Sequence, residues 1–153
     1  MSAVVLRKLR PEDLPEVVAL LAHWNMAPVA PDAERPVVER TALEPDTAFV
    51  ALAGDKVVGV GSFWLRGDGW GETAVLAVHP DWQRRGIGRR LQAARVEEMQ
   101  RHGVTRVRTE ADRPEAIDWY CRRFGYRVKG TAPKKHAFSL ADVDRWSVLE
   151  LEL

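Results

Sequence analysis

One stretch limits the possible folds more than any other: Val75-Leu-Ala-Val78-His-Pro-Asp-Trp-Gln83-Arg84-Arg85-Gly86-Ile87-Gly88-Arg89-Arg90-Leu91. An apolar strand runs into a short polar turn, and the turn opens a helix whose start mixes two glycines with four arginines. Free N–H groups at a helix start, with the helix dipole behind them, attract anions, and glycine lets a ligand approach the backbone. The unit therefore predicts an α/β domain with a cradle for a phosphate-bearing ligand. A P-loop would place Gly-Lys-Ser/Thr at the helix start, whereas Gly88 is followed by Arg89 and Arg90. A dinucleotide fingerprint would need a third glycine where Leu91 stands, and a unit near the start of a parallel sheet. Neither pattern fits.

The remainder of the chain reads as a single domain over residues 1–153, of sufficient size to bury a core without disulfide or metal. Val4–Leu9, Thr47–Ala53, Lys56–Arg66, Glu72–Val78, Val104–Glu110, Tyr126–Gly130 and Trp146–Leu153 are predicted strands. Helices are expected from Pro11, from Pro36 to Leu43, from Arg85 to His102 and from Pro114 to Phe124. Leu14, Val17, Val18 and Leu21 form the first helix's inward stripe; Ile87, Leu91 and Ala94 form the third's, with Glu98 on the same face. A formal charge of +1 gives no global field for nucleic acid or an anionic membrane. Cys121 is the lone cysteine, and the four histidines lack metal-ligand spacing, so no metal is expected. The N-terminus has no signal-peptide pattern and no 18-residue apolar run exists, which leads to the expectation of a cytoplasmic protein without a membrane span.

The pattern Gln83-Arg84-Arg85-Gly86-Ile87-Gly88 fits Gln/Arg-x-x-Gly-x-Gly/Ala, the acetyl-CoA signature of the GNAT acyltransferase superfamily, which this chain resembles. Some 35 residues on, Ala116-Ile-Asp-Trp-Tyr120-Cys121-Arg-Arg-Phe-Gly125-Tyr126 is similar to the family's second signature, a helix ending in Gly-Phe or Gly-Tyr. The resemblance implies a mixed central sheet of about six to seven strands flanked by about four helices. It implies acetyl-CoA as cosubstrate, with Leu76, Ala77 and Val78 lining the pantetheine arm. Gln83, Arg84, Arg85, Gly86, Ile87, Gly88 and Arg89 would then surround the diphosphate, and Arg90 adds nearby charge.

The same resemblance implies catalytic roles. The Val78 N–H would polarise the thioester carbonyl as an oxyanion donor. Glu72, six residues earlier, matches a glutamate that serves as general base in the histone-modifying branch, and simple strand alternation puts it on the Val78 face. The leaving-group acid is usually a tyrosine on the later helix. Counting from Ala116 selects Tyr120, while counting back from Gly125 selects Cys121. A phenol suits proton donation to a thiolate better than a thiol does, which favours Tyr120. Asp112-Arg113-Pro114 stands where the family often has asparagine.

The resemblance gives the acceptor pocket to Trp24–Arg40 and Thr131–Trp146, where apolar and mixed-charge residues set no sign for the substrate. Transfer of an acetyl group to a primary amine of a small molecule is the expected reaction. Two alternatives are a protein lysine or N-terminal acetyltransferase, favoured by a shallow acidic groove, and a non-catalytic acyl-CoA-binding sensor. Six tryptophans supply packing, with one or two available for the pocket or a homodimer face.

Overall fold

Seven strands form one sheet in the order β1-β2-β3-β4-β5-β7-β6, in a computed structural model that describes residues 3–26, 41–134 and 139–153. The strands are β1 (Val4–Lys8), β2 (Ala48–Ala53), β3 (Lys56–Gly67), β4 (Trp70–Val78), β5 (Arg106–Ala111), β6 (Arg127–Pro133) and β7 (Arg145–Glu152). Every neighbouring pair is antiparallel except β4 and β5, which run parallel. All seven predicted strands are present, and the α/β class is as read from the sequence.

A 3-10 turn, Pro11–Asp13, leads into α1 (Leu14–His23), and the Asp13 carboxylate accepts from the Arg10 N–H and from both terminal nitrogens of Arg7. α2 (Ile87–Arg101) follows the cradle, and α3 (Pro114–Phe124) stops at Gly125 in the left-handed conformation that suits glycine at a helix end. Three complete helices lie among the described residues, and Thr41 is helical as well. Only the last three residues of the predicted Pro36–Leu43 helix fall inside that range.

The sheet has a core on each face. Val17, Leu20 and Leu21 of α1 pack with Val50, Val57, Val60, Val75 and Ala77 on one face. The other face meets α2 and α3 through Phe63, Met99, Val107, Tyr120, Tyr126 and Leu149, and through Ile87 and Leu91. α2 buries a mixed stripe, since Gln92, Arg95 and Glu98 are as buried as Leu91 and Met99. Glu98 faces two cations, Lys8 Nζ at 3.3 Å from its Oε2 and Arg101 Nη1 at 3.3 Å from its Oε1, and their charge offsets its inward position.

Gly59 on β3 is what lets α2 come this close. A Cβ there would stand 2.9 Å from Leu91 Cδ1, 3.1 Å from Ile87 Cγ2 and 3.3 Å from Ala51 Cβ. Leu91, Ile87 and Ala51 would each have to give way to admit a methyl in this packed interior. Gly59→Ala is therefore expected to cost about 1–3 kcal/mol of overpacking, read as a lower denaturant midpoint at unchanged m-value. An equal or higher midpoint would show that α2 can shift to admit the methyl.

Candidate active site

The site begins where two strands stop pairing. β4 and β5 share only three parallel pairs, Trp70–Glu72 against Arg106–Arg108. Beyond them, Thr73 Oγ1 donates to Thr109 Oγ1 at 2.8 Å, both side chains buried, and closes the floor of the gap. β5 then stays with β7, while β4 stays with β3. The opening between them is a cleft of about 840 Å³, within the range of ligand sites.

A bulge sets what each side of the cleft presents. The β3–β4 register shifts between Gly61↔Leu76 and Phe63↔Thr73, so Ala74 and Val75 together oppose Ser62. Gly71 faces Met99 of α2, and Val78 faces Gly88 at the start of α2, although seven residues separate them. In an unbroken strand an odd separation would send them to opposite faces. The expected same-face relation of Glu72 and Val78 therefore fails, because the extra residue reverses the alternation between them. Glu72 lies on the α1 face, opposite Trp64, with Arg66 Nε donating to its Oε2 at 2.9 Å, and it does not line the cleft.

Past the bulge, the backbone of β4 turns polar groups into the opening. The His79 N–H donates to the Val58 carbonyl at 2.8 Å, making residues 79 and 77 the hydrogen-bonded positions against β3. Residues 76 and 78 then direct their N–H and C=O groups away from β3, toward the cleft. The Val78 carbonyl accepts from Trp24 Nε1 at 3.2 Å.

At the outer end, Arg84 (φ 62°) and Gly86 (φ 77°) are both left-handed, which folds the turn into a concave nest of backbone amides ahead of α2. The first-turn N–H groups of α2 have no acceptor within the helix. Gln83, Arg84, Gly86, Ile87, Gly88 and Arg89 line the cleft together with Leu76, Ala77 and Val78. Two of the four arginines are occupied elsewhere. Arg85 lies over the Trp82 ring at 4.5 Å and outside the lining, and Arg90 Nη1 donates to the Val4 carbonyl at 2.8 Å. Arg113 and Arg123, which the sequence did not single out, line the cleft from the α3 side.

Tyr120 lines the inner part of the cleft and is 6% exposed, whereas Cys121 is outside the lining. Tyr120 Oη accepts from Arg95 Nη2 at 3.0 Å. Glu110 also lines the cleft, two residues beyond the last β4–β5 pair and so on the same face as Glu72 and Arg108. The sequence reading missed both Arg95 and Glu110. Arg95 was detectable as a cation on the inward stripe of α2, but Glu110 carried no signal before β5 had been placed.

On the α1 side, Trp24, Met26 and Trp146 make an aromatic and apolar wall. A bridge crosses from β4 to the start of α3. Trp24 holds the Val78 carbonyl, the Arg113 guanidinium lies 5.4 Å over Trp24, and Arg113 Nε donates to Ser139 Oγ at 3.0 Å. Asn25 and Ser139 exchange backbone and side-chain bonds beside it. Asp112, where the family often has asparagine, lines the cleft, and its Oδ2 accepts from Lys134 Nζ at 2.7 Å and from the Leu140 N–H at 2.8 Å. Lys135, His136, Phe138 and most of Trp24–Arg40 lie outside the described residues.

The amide nest, the β4 groups directed away from β3 and the Tyr120 hydroxyl thus lie along one cleft. The protein belongs to the acetyltransferase (GNAT) family, whose model matches residues 14–126. It is similar in fold to the Ard1 protein from Thermoplasma volcanium, at 18% identity and a TM-score of 0.79, over 99% of this chain and 98% of that one. The ribosomal-protein-S18-alanine N-acetyltransferase from Escherichia coli gives 18% identity and a TM-score of 0.76, over 98% and 94%. A putative acetyltransferase from Salmonella typhimurium, yncA, solved with its cofactor acetyl-CoA, gives 20% identity and 0.74, over 99% and 94%. No curated protein sequence matches the chain. Among the described residues no His, Cys, Asp or Glu cluster could hold a metal, and no helix is long and apolar enough to cross a membrane.

Arg84→Ala and Arg89→Ala are each expected to weaken coenzyme A binding about tenfold, the ~1.5 kcal/mol of a charge-assisted bond, whereas Arg90→Ala leaves it within about twofold. Titration calorimetry against coenzyme A checks this, and equal losses at all three would mean diffuse charge rather than contacts. Separately, burial alone would raise the Asp112 carboxyl, but Lys134, the Leu140 N–H and Ser139 outweigh it and hold the group below the usual carboxylate range. A folded value under the unfolded ~3.9 stabilises the fold above about pH 4, and that stability is lost as pH falls through the folded value. With side chains only 3% and 4% exposed, breaking the pair by Asp112→Asn should cost about 3–5 kcal/mol at pH 7 and flatten the acid limb of denaturant stability. An unchanged acid limb would assign it to other carboxylates.

Proposed function

We propose that this protein transfers the acetyl group of acetyl-CoA to the primary amine of a small molecule, by direct attack within a complex of enzyme and both substrates. The carrying observation is the single cleft that joins the amide nest at Arg84–Arg89 to the Tyr120 hydroxyl and to Glu110. Acetyl-CoA supplies an acyl group activated at its thioester carbonyl. The nest amides, Arg84 and Arg89 hold the diphosphate, and the cleft-facing groups of Leu76 and Val78 pair with the pantetheine arm.

The Val78 N–H stands at the carbonyl oxygen and stabilises the charge that grows there as nitrogen bonds to the acyl carbon. The Tyr120 O–H delivers a proton to the sulfur as the C–S bond breaks. A carboxylate on the α1 face takes the proton released by the amine, directly or through one water. Glu110 suits this better than Glu72, because Glu110 lines the cleft while Glu72 is held by Arg66 outside it. The aromatic wall of Trp24, Met26 and Trp146 and the Trp24–Arg113 bridge favour a small acceptor over an extended peptide.

A panel of small amines and of peptides with free N-termini or lysines, followed by thiol release from acetyl-CoA, tests the assignment. Turnover confined to peptides would replace the small-molecule reading. Tight coenzyme A binding without turnover on any amine would leave only an acyl-CoA sensor. Tyr120→Phe is expected to lower kcat about 10²- to 10⁴-fold. Glu110→Gln should lower kcat/KM most at acidic pH, where the amine is most protonated, and Glu72→Gln should leave it near the parent value. The reverse ranking would return the base role to Glu72.

A further inference from the structure

The α2 face of the sheet encloses a cation that has no ion-pair partner among the described residues. Arg95 is fully buried. Its Nε donates to Gln92 Oε1 at 3.1 Å, and its Nη1 donates to the carbonyls of Ser62 at 3.1 Å and Val75 at 3.0 Å. Its Nη2 donates to Gln92 Oε1 and, at 3.0 Å, to Tyr120 Oη. All five guanidinium N–H groups are thereby used, and every acceptor is neutral. Gln92 is itself oriented, because its Nε2 donates to Tyr126 Oη at 2.8 Å and so presents its oxygen to Arg95.

Such a cation is expensive to bury, and for packing alone an apolar side chain at this inward position would serve better. Its acceptors show what it accomplishes. Ser62 and Val75 sit at the β3–β4 bulge, so the guanidinium is pinned by the strand that carries the cleft-facing amides of Leu76 and Val78. From that anchored position it reaches one side chain of the cleft wall, Tyr120. A phenol oxygen both donates and accepts, whereas a guanidinium only donates. Arg95 therefore takes a lone pair of Tyr120, and the Tyr120 proton must point away from it. Arg95 and Tyr120 both border the cleft, so the direction left for that proton is the opening.

We propose that Arg95 is the positioning residue of the proton donor: anchored on the bulge carbonyls, it fixes the Tyr120 hydroxyl with its proton aimed at the departing sulfur. This rests on Tyr120 as the acid in the reaction above. Arg95 itself touches neither substrate, and its effect passes through one hydroxyl.

The test is a double-mutant cycle on the full chain, with kcat at saturating acetyl-CoA and amine, and with coenzyme A affinity measured separately. Arg95→Met, close in volume and without donors, is expected to lower kcat about 10- to 100-fold while the Kd for coenzyme A stays within about threefold. On the Tyr120→Phe background the same change should cost less than about threefold, because the hydroxyl it positions is gone. Arg95→Lys, which keeps the charge but not the planar fork, should recover only part of the loss. A loss that multiplies fully on the Tyr120→Phe background, a loss confined to KM, or full kcat in Arg95→Met would each overturn the proposal while leaving Tyr120 as the acid. Full kcat in Tyr120→Phe alone would remove the acid assignment and this proposal together. Should Arg95→Met fail to fold, Arg95→Lys is carried through the same cycle; failure of both to fold would assign the cation a purely structural role and overturn the proposal.

Discussion

Everything functional in this molecule depends on the early end of one parallel ladder. Three pairs join β4 to β5, a buried bond between Thr73 and Thr109 closes the junction, and the strands then separate. A sheet that opens in its middle exposes backbone polar groups that would ordinarily pair, and that exposure has to be compensated. Part of the compensation comes from within, as Arg95 takes the carbonyls of Ser62 and Val75, and Ser62 Oγ accepts from the Val75 N–H. The cleft-facing groups of residues 76 and 78 are what a ligand with amides of its own can pair with. Opening the sheet thus leaves the polar groups that the proposed binding mode of acetyl-CoA uses.

The bulge in β4 makes this arrangement asymmetric. One extra residue at Ala74–Val75 gives the strand opposite phase on its two sides. Toward α2 and α3 the cleft meets Gly88, Trp119 and Tyr120, which suits the donor thioester. Toward α1 it meets Trp24, Met26, Trp146 and Glu110, which suits an acceptor. A regular strand would have repeated one pattern along its length.

The fold and the glycine–arginine nest were legible because their signals are local. Hydrophobic alternation marked β7 through Leu149 and Leu151, and the glycine–arginine turn marked the nest without any tertiary knowledge. Glu72 shows where local reasoning stops. Its spacing from Val78 was counted on an unbroken strand, and a bulge is a property of two strands in register, invisible in one of them. The Tyr120/Cys121 ambiguity had the same origin, since both lie on one helical stripe and only the position of α3 against β4 separates the residue that meets the cleft. Arg85 and Arg90 looked equivalent to Arg84 and Arg89 in the sequence, yet Trp82 and the Val4 carbonyl hold them away from the lining.

The inward polar stripe of α2 carries a more general point. Gln92, Arg95 and Glu98 interrupt an amphipathic helix, and by pattern alone they weaken it. In the folded chain each interruption has a distinct partner: Tyr126 for Gln92, the bulge and Tyr120 for Arg95, Lys8 and Arg101 for Glu98. Glu98 ties α2 to the sheet edge as an ion pair, which an apolar contact could replace. Arg95 differs, because its acceptors are backbone carbonyls that only an irregular strand leaves open. A hydrophobe in its place would pack well but leave two carbonyls unpaired, so the guanidinium offsets part of its own burial cost by serving the bulge.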